Sequence, residues 1–204
     1  AGINRLSLGI QSFDDARLQA LGRVHNSDQA RAAIEHARAA GFDNLNIDLM
    51  HGLPGQSVTA AEADLRMALA LRPSHLSWYQ LTIEPNTVFH SHPPLLPIED
   101  ELADIQQVGE AVLAAEGFSQ YEVSAYSAPT FRCRHNLNYW SFGDYLGIGA
   151  GAHGKVSYSD GRIQRYAKTR QPGAYLAANS GGFNAGGQML SPEDARGEFM
   201  LNAL

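Results

Sequence analysis

The sequence predicts an α/β protein built on a parallel sheet, open or closed into a barrel, and three observations carry that expectation. Short segments alternate apolar and polar residues with a period of two, the mark of half-buried strands. Between them lie segments with apolar residues at helical spacing, each with a start or stop signal. The strand-like segments recur at intervals of roughly 35–45 residues, the rhythm of successive βαβ units.

The first strand is expected over Asn4–Gln11, where Leu6, Leu8 and Ile10 alternate with Arg5, Ser7, Gly9 and Gln11. Helical stretches follow at Asp14–Leu21 and Ala30–Ala40, the second capped by Ser27 and stopped by Gly41. The second strand, Asn44–Met50, sets Leu45, Ile47 and Leu49 against Asn44, Asn46, Asp48 and Met50. Both strands open after nearly the same phrase, Ala1-Gly2-Ile3-Asn4-Arg5-Leu6 and Ala40-Gly41-Phe42-Asp43-Asn44-Leu45. Superposing the phrases puts Gly9 over Asp48 and Gln11 over Met50, so Gln11 and Asp48 are expected on one face. Thr59-x-x-Glu62 reads as a capping box for a helix that stops at Arg72-Pro73. A third strand is expected at Leu76–Ile83, then a proline-rich link, a helix over Glu99–Glu116 and a fourth strand at Gln120–Ser127. Beyond Pro129 the repeat gives way to aromatics and glycines, with a flexible loop expected from Gly181-Gly182 through Gly186-Gly187. Domains are therefore expected at residues 1–128 and 129–204. Ser191-Pro192-Glu193-Asp194 is a strong helix start. Ala1-Gly2 resembles a helix tail, and the last helix carries no stop signal, so the chain reads as an internal piece of a longer protein.

Composition narrows the function. A chain of 204 residues with 44% hydrophobic content can bury a core, and a net charge of −6 without basic runs argues against nucleic acid. No apolar stretch reaches the ~18 residues of a membrane span, and no leader pattern opens the chain. The lone Cys133 excludes an internal disulfide and fits a reducing, cytoplasmic compartment. It also excludes an iron–sulfur cluster or zinc site held by cysteines of this chain alone.

Polar residues on the inner face near the C-terminal ends of barrel strands read as ligand contacts. That makes Gln11 and Asp48 candidates, with Asp48 alternatively a structural carboxylate for the Gly52–Gly55 turn. Arg23, in Leu21-Gly22-Arg23, is a fork for a substrate carboxylate or an ordinary surface arginine. Gly149-x-Gly151-x-x-Gly154 matches a dinucleotide fingerprint, but the residues after it look like strand, which favours a tightly packed turn. His153 beside it is a further candidate contact. His135-Asn136-Leu137-Asn138-Tyr139-Trp140, flanked by Arg132 and Arg134, suits a planar anionic cofactor such as haem, or else an aromatic core plug with a hydrogen-bonded histidine. His90 and His92 before Pro93-Pro94 read as a solvated loop rather than a metal site.

Together these pieces resemble a known family. Arg5–Phe13 (RLSLGIQSF), Leu21-Gly22-Arg23, Asn46–Gln56 (NIDLMHGLPGQ) and Tyr79–Thr87 (YQLTIEPNT) look like the HemN/HemW branch of radical S-adenosylmethionine (SAM) proteins. Gln120–Ser124 and His135-Asn136-x-x-Tyr139-Trp140 look like the haem-chaperone side of that branch. They are less like the oxygen-independent coproporphyrinogen III dehydrogenase, a radical-SAM oxidase of porphyrin biosynthesis. The resemblance implies the C-terminal portion of a partial (β/α)6 barrel and the start of a smaller C-terminal domain. It implies SAM, haem and a [4Fe–4S] cluster as cofactors, the cluster on an upstream Cys-x3-Cys-x2-Cys loop absent from this chain. It implies Gln11, Arg23 and Asp48 as SAM contacts, with Met50 and Thr82 as weaker ones, and His135 as the haem-iron ligand. Arg23 would suit the methionyl carboxylate, Gln11 and Asp48 the ribose hydroxyls. Haem-accepting proteins are the implied partners, with a homodimer left open. A conventional barrel enzyme without SAM is the remaining alternative.

Overall fold

The computed structural model describes residues 2–178 and 182–203. The chain divides into two compact units, Ala1–Arg132 and Cys133–Leu204.

The first unit is a sheet covered on one face by helices. Strands β1 (Arg5–Gln11), β2 (Asn44–His51) and β3 (His75–Gln80) are parallel neighbours. Helices α1 (Asp15–Ala20) and α2 (Ser27–Ala39) join the first two, and α3 (Val58–Ala70) joins the second pair. A short α4 (Val88–Ser91) and the long α5 (Glu99–Ala115) follow. The caps differ from expectation by a residue or two: Asn26 closes a reciprocal capping box with Gln29, and Ser57 rather than Thr59 caps α3. In both cases the residue immediately outside the first turn wins, because only its side chain reaches back to the free N–H groups.

The expected fourth strand is a correction. Residues 119–127 form a hairpin, β4 (Ser119–Glu122) and β5 (Ala125–Ser127), and β5 pairs antiparallel with β3, giving the order β1-β2-β3-β5-β4. The break falls at Val123-Ser124, where the Glu122 carboxylate accepts from Ser124 N–H at 3.0 Å and Gln120 Nε2 donates to the Val123 carbonyl at 3.0 Å. No glycine or proline marks that turn, so the alternation runs through it.

Leu6, Leu8, Ile10, Leu45, Ile47, Leu49, Leu76 and Trp78 share one face and pack on Ala30, Ile34, Ala61, Leu65, Ile105, Val112 and Leu113 of the helices. Gly109 of α5 gives Trp78 its place, since a Cβ there would fall 1.9 Å from the indole Cη2. Burying a leucine such as Leu65 in this layer contributes roughly 1.5–3 kcal/mol.

The second unit opens with α6 (Arg134–Trp140) and continues as an antiparallel sheet of β6 (His153–Ser157), β7 (Ile163–Lys168) and β8 (Asn184–Met189). Helix α7 (Pro172–Ala177) links β7 to β8, and α8 (Pro192–Ala203) follows. Part of the expected glycine loop is strand β8: at Gly187 a Cβ would stand 3.0 Å from the Arg165 carbonyl, so a glycine allows the strands to approach. Gly181 lies outside the described residues. The Gly149–Gly154 segment is a turn into β6, and a Cβ at Gly154 would overlap the Tyr166 ring. Lys155 is 1% exposed, donating to the Phe142 carbonyl at 2.8 Å and to Asp144 at 3.0 Å.

Candidate functional site

With the apolar parity of β1–β3 turned to the helices, the other parity forms a polar face. Register places Ser7 beside Asn46, Gly9 beside Asp48, Asn46 beside His75, Asp48 beside Ser77 and Met50 beside Tyr79. Asp48 accepts from Asn46 Nδ2 at 2.6 Å and from the Ser7 hydroxyl at 3.2 Å. Both donors come from the sheet, so the expected alternative, bonds from the Gly52–Gly55 turn, is not what holds this carboxylate. That turn is instead tied by Gln56, which accepts from Leu53 N–H at 3.2 Å.

Gln11 reaches the same face by a local distortion. It pairs with Leu49 instead of Met50 because the register shifts after Gly9. Its φ is 72°, and Ser12 N–H donates back to the Ile10 carbonyl at 3.0 Å, a γ-turn rarely accepted by non-glycine residues. The side chain folds back over Gly9, where a Cβ would stand 2.9 Å from Gln11 Nε2, and its Oε1 accepts from the Tyr79 hydroxyl at 2.8 Å. Buried Asp64 of α3 braces the turn, accepting from the Ser12 hydroxyl at 2.7 Å, Phe13 N–H at 2.8 Å and Gln56 Nε2 at 3.4 Å. Burial raises its pKa, partly opposed by the hydrogen bonds from Phe13 and Ser12. One carboxylate thus fixes the ends of both β1 and β2.

Tyr79 is where the predicted residues converge. Burial raises its phenol pKa, Asp48 adds to that, and Arg23 and the Gln11 bond oppose it. Arg23 is exposed, and with Met50, Thr82, Leu81, Thr87 and Phe89 it lines a cavity of about 360 Å³. That lies within the ordinary range for small-ligand sites. Arg23, Met50 and Thr82 therefore line one cavity at the C-terminal ends of β2 and β3, while Gln11 meets the neighbouring Tyr79 and Asp48 lies two residues before Met50 on the same face. A guanidinium, a carboxylate, an amide and an apolar wall suit a ligand with an anionic end, vicinal hydroxyls and a hydrophobic part. The sequence reading missed Tyr79 and Asp64 as site-builders, although the parity of β3 placed Tyr79 on the face of Ser77.

In the second unit His135 is exposed on α6, with its ring edge-on to Tyr139 at 4.8 Å between centroids. Tyr139 stacks on Tyr145 at 4.6 Å, and Tyr145 accepts from Arg165 at 2.5 Å. No residue of α6 is buried, and His135 has no hydrogen-bond partner among the described residues, so it is not the core plug weighed above. His153 lines a separate cavity of about 310 Å³ with Arg165 and Tyr166. His90 and His92 are exposed, and no group of three potential metal-ligating side chains occurs among the described residues. Cys133 is buried.

A three-stranded parallel run with ligand-type residues at its carboxyl ends is what a barrel of the radical SAM kind presents. The radical SAM superfamily profile matches residues 1–68. The solved structure titled as coproporphyrinogen III oxidase (HemN) from Escherichia coli, a radical SAM enzyme, superposes over 100% of the chain and 50% of its own. Its TM-score is 0.78 at 22% identity, a likeness of fold. Residues 1–68 thus match the radical SAM superfamily, and the chain as a whole shares the fold of that solved structure.

The curated relatives include heme chaperone HemW of Escherichia coli (strain K12), 56% identical over 176 residues, covering 86% of this chain and 47% of that protein. Heme chaperone HemW of Haemophilus influenzae is 54% identical over 176 residues, 86% of this chain and 46% of the relative. The mouse radical S-adenosyl methionine domain-containing protein 1, mitochondrial, is 43% identical over 159 residues, 76% of this chain and 36% of the relative. The chain spans about half the length of the curated relatives it matches.

Proposed function

We propose that this chain is part of a HemW-type haem chaperone that binds haem, SAM and a [4Fe–4S] cluster and hands haem to acceptor proteins in the cytoplasm. The residues at the strand ends fit SAM by chemistry. The Arg23 guanidinium would take the methionyl carboxylate as a fork, and Asp48 and Gln11 would accept from or donate to the ribose hydroxyls. Met50 and Thr82 would wall the cavity beside them. SAM bound to a reduced cluster supplies radical chemistry in this superfamily, but the cluster's cysteine ligands are not residues of this chain. What these residues do is bind and orient.

The observation that carries the haem reading is His135: an exposed imidazole without a hydrogen-bond partner among the described residues, beside Tyr139 one turn on, with Trp140, 37% exposed, the next residue along the helix. A histidine nitrogen free of other bonds is available as an axial ligand, and aromatic faces suit a porphyrin. Arg134, exposed on the same helix, would meet a propionate.

Anaerobic titration of the whole gene product with haem tests this. His135→Ala should flatten or shift the Soret band and weaken haem retention while SAM binding persists. A variant that holds haem with an unaltered spectrum removes His135 from the site, and His153 is then the next ligand to exchange. Turnover of coproporphyrinogen III by the same preparation would replace the chaperone reading with the oxidase one.

A further inference from the structure

Asp48 is the end of a chain of hydrogen bonds that runs through the buried part of the polar face. Asn46 Nδ2 donates to Asp48 at 2.6 Å and to the Ser7 hydroxyl at 2.6 Å, and Ser7 in turn donates to Asp48. A carboxylate only accepts, so the Asn46 amide is oriented with its nitrogen toward Asp48 and its oxygen away. That oxygen meets His75 Nδ1 at 2.6 Å and the Ser77 hydroxyl at 3.2 Å. An amide oxygen also only accepts, so His75 must carry its proton on Nδ1. His75 Nε2 is then a bare lone pair, and it lies 2.7 Å from the Tyr121 hydroxyl, which donates to it. Every bond from Tyr121 through His75 and Asn46 to Asp48 has one permitted direction.

Asn46 is 1% exposed and His75 0%, so water does not substitute for a missing partner. Burial, helped by the nearby Arg5 guanidinium, holds His75 down at a pKa of about 4, in keeping with a neutral ring. The charged and titratable groups facing that ring are Arg5 on β1, Asp48 through Asn46 on β2, and Tyr121 on β4, whose own ring lies under Arg132 at 5.6 Å. Among the described residues, Asp48 Oδ2 accepts only the 3.2 Å Ser7 bond, which leaves it lone pairs for a ligand.

We propose that Asn46 and His75 are positioning residues for SAM: their one-directional hydrogen-bond chain fixes the Asp48 carboxylate in the orientation that accepts the ribose hydroxyls. The proposal rests on the SAM site proposed above. It gives an otherwise bland pair, an asparagine two residues before the ligand aspartate and a histidine at the start of β3, a role in affinity.

The test is calorimetric SAM binding to the reconstituted whole gene product. Asp48→Ala should weaken binding and reports on the site itself. Asn46→Asp keeps the shape but sets an acceptor against Asp48. The two carboxylates then share a proton, and their titration moves above the ordinary carboxylate range. SAM affinity should fall about tenfold at about pH 8 and recover in part at about pH 6, whereas the parent stays level between them. His75→Phe, which removes the donor, should cost roughly three- to tenfold, and His75→Asn, whose amide nitrogen takes the place of Nδ1, should restore affinity to within about twofold. An Asn46→Asp protein that binds SAM like the parent at both pH values, alongside a weakened Asp48→Ala, overturns the proposal and leaves the site standing. An Asp48→Ala protein with parental affinity removes the site and the proposal together. If the variants do not fold, histidine-selective nitrogen NMR of the parent decides: a ring protonated on Nε2 refutes the chain.

Discussion

Acid should destabilise the first unit well before its exposed carboxylates protonate, because two imidazoles are held neutral inside it. His51, 3% exposed, lies against Trp78 with ring centroids 4.2 Å apart, and burial lowers its pKa from 6.5 to about 4. Its Nδ1 has no hydrogen-bond partner among the described residues, and Glu99 lines the same cavity. His75 is lowered from 6.5 to about 4 as well, by burial and then by Arg5. In the unfolded chain both rings take up a proton near 6.5, in the folded chain only near 4, so between these values the unfolded state binds more protons. The contribution is complete above the upper value and is lost as pH falls through the window. The gap from 6.5 to about 4 corresponds to roughly 3 kcal/mol per histidine, about 6 for both as an upper bound. Asp64 works the other way: its raised pKa lets the folded state hold a proton the unfolded state releases, which offsets part of the loss. Against a typical stability of about 5–15 kcal/mol, the net effect is large. Urea midpoints of the whole gene product at intervals across the window read it, following a probe in this unit such as Trp78 fluorescence. His75→Asn should remove about half of the slope, and His51→Phe with His75→Asn nearly all. A parent whose midpoint is level across the window, or a double variant with the parental slope, refutes the assignment of both rings as buried and neutral.

Arg23→Lys should weaken SAM binding in the reconstituted protein by roughly 1–2 kcal/mol by calorimetry, since a point charge does not reproduce a guanidinium fork; parental affinity would return Arg23 to a surface role. Asp64→Ala leaves the Ser12 hydroxyl, Phe13 N–H and Gln56 amide without their acceptor. It should cost roughly 2–4 kcal/mol by urea unfolding and loosen SAM binding through the Gln11 turn. Lys155→Met should lower the melting point of the second unit, at a cost of about 1–3 kcal/mol, because Phe142 and Asp144 lose the cation that joins them; an unchanged melt would show that the apolar stem carries the packing.

The first two strands were readable because their apolar parity is unbroken and one side is buried. The same parity put Asp48 with Ser7 and Gly9, and the structure keeps it there. Gln11 was placed on the right face for an incomplete reason: a repeat-based superposition has no means of registering a γ-turn, which depends on Ser12 finding the Ile10 carbonyl and on an aspartate far along the chain. His75 escaped notice because the third strand was read as beginning at Leu76, one residue late, and its partners lie on β2 and β4. Such a network is written in tertiary register, and no window of sequence contains it. The hairpin at Val123-Ser124 was hidden by alternation that continues across the bend, and β8 by glycines that ordinarily mark loops. The helices between the strands of the repeat were legible, whereas the short α4, α6 and α7 were not expected; cap identity was not legible either, since Asn26 and Ser27, or Ser57 and Thr59, are equally good cappers until the backbone chooses.

The fit of Gly109 against Trp78 constrains how this chain can change over time. With an indole at 78, even a methyl at 109 has no room, the distance from its carbon to Cη2 being 1.9 Å. Loss of the indole alone leaves a void costing roughly 3–5 kcal/mol. Neither position drifts freely, and the two-step exchange has only one passable order: the ring must shrink first, in a background stable enough to tolerate the hole, before a larger residue at 109 can fill it. Substitutions elsewhere that add stability would therefore decide whether a lineage ever leaves this pairing.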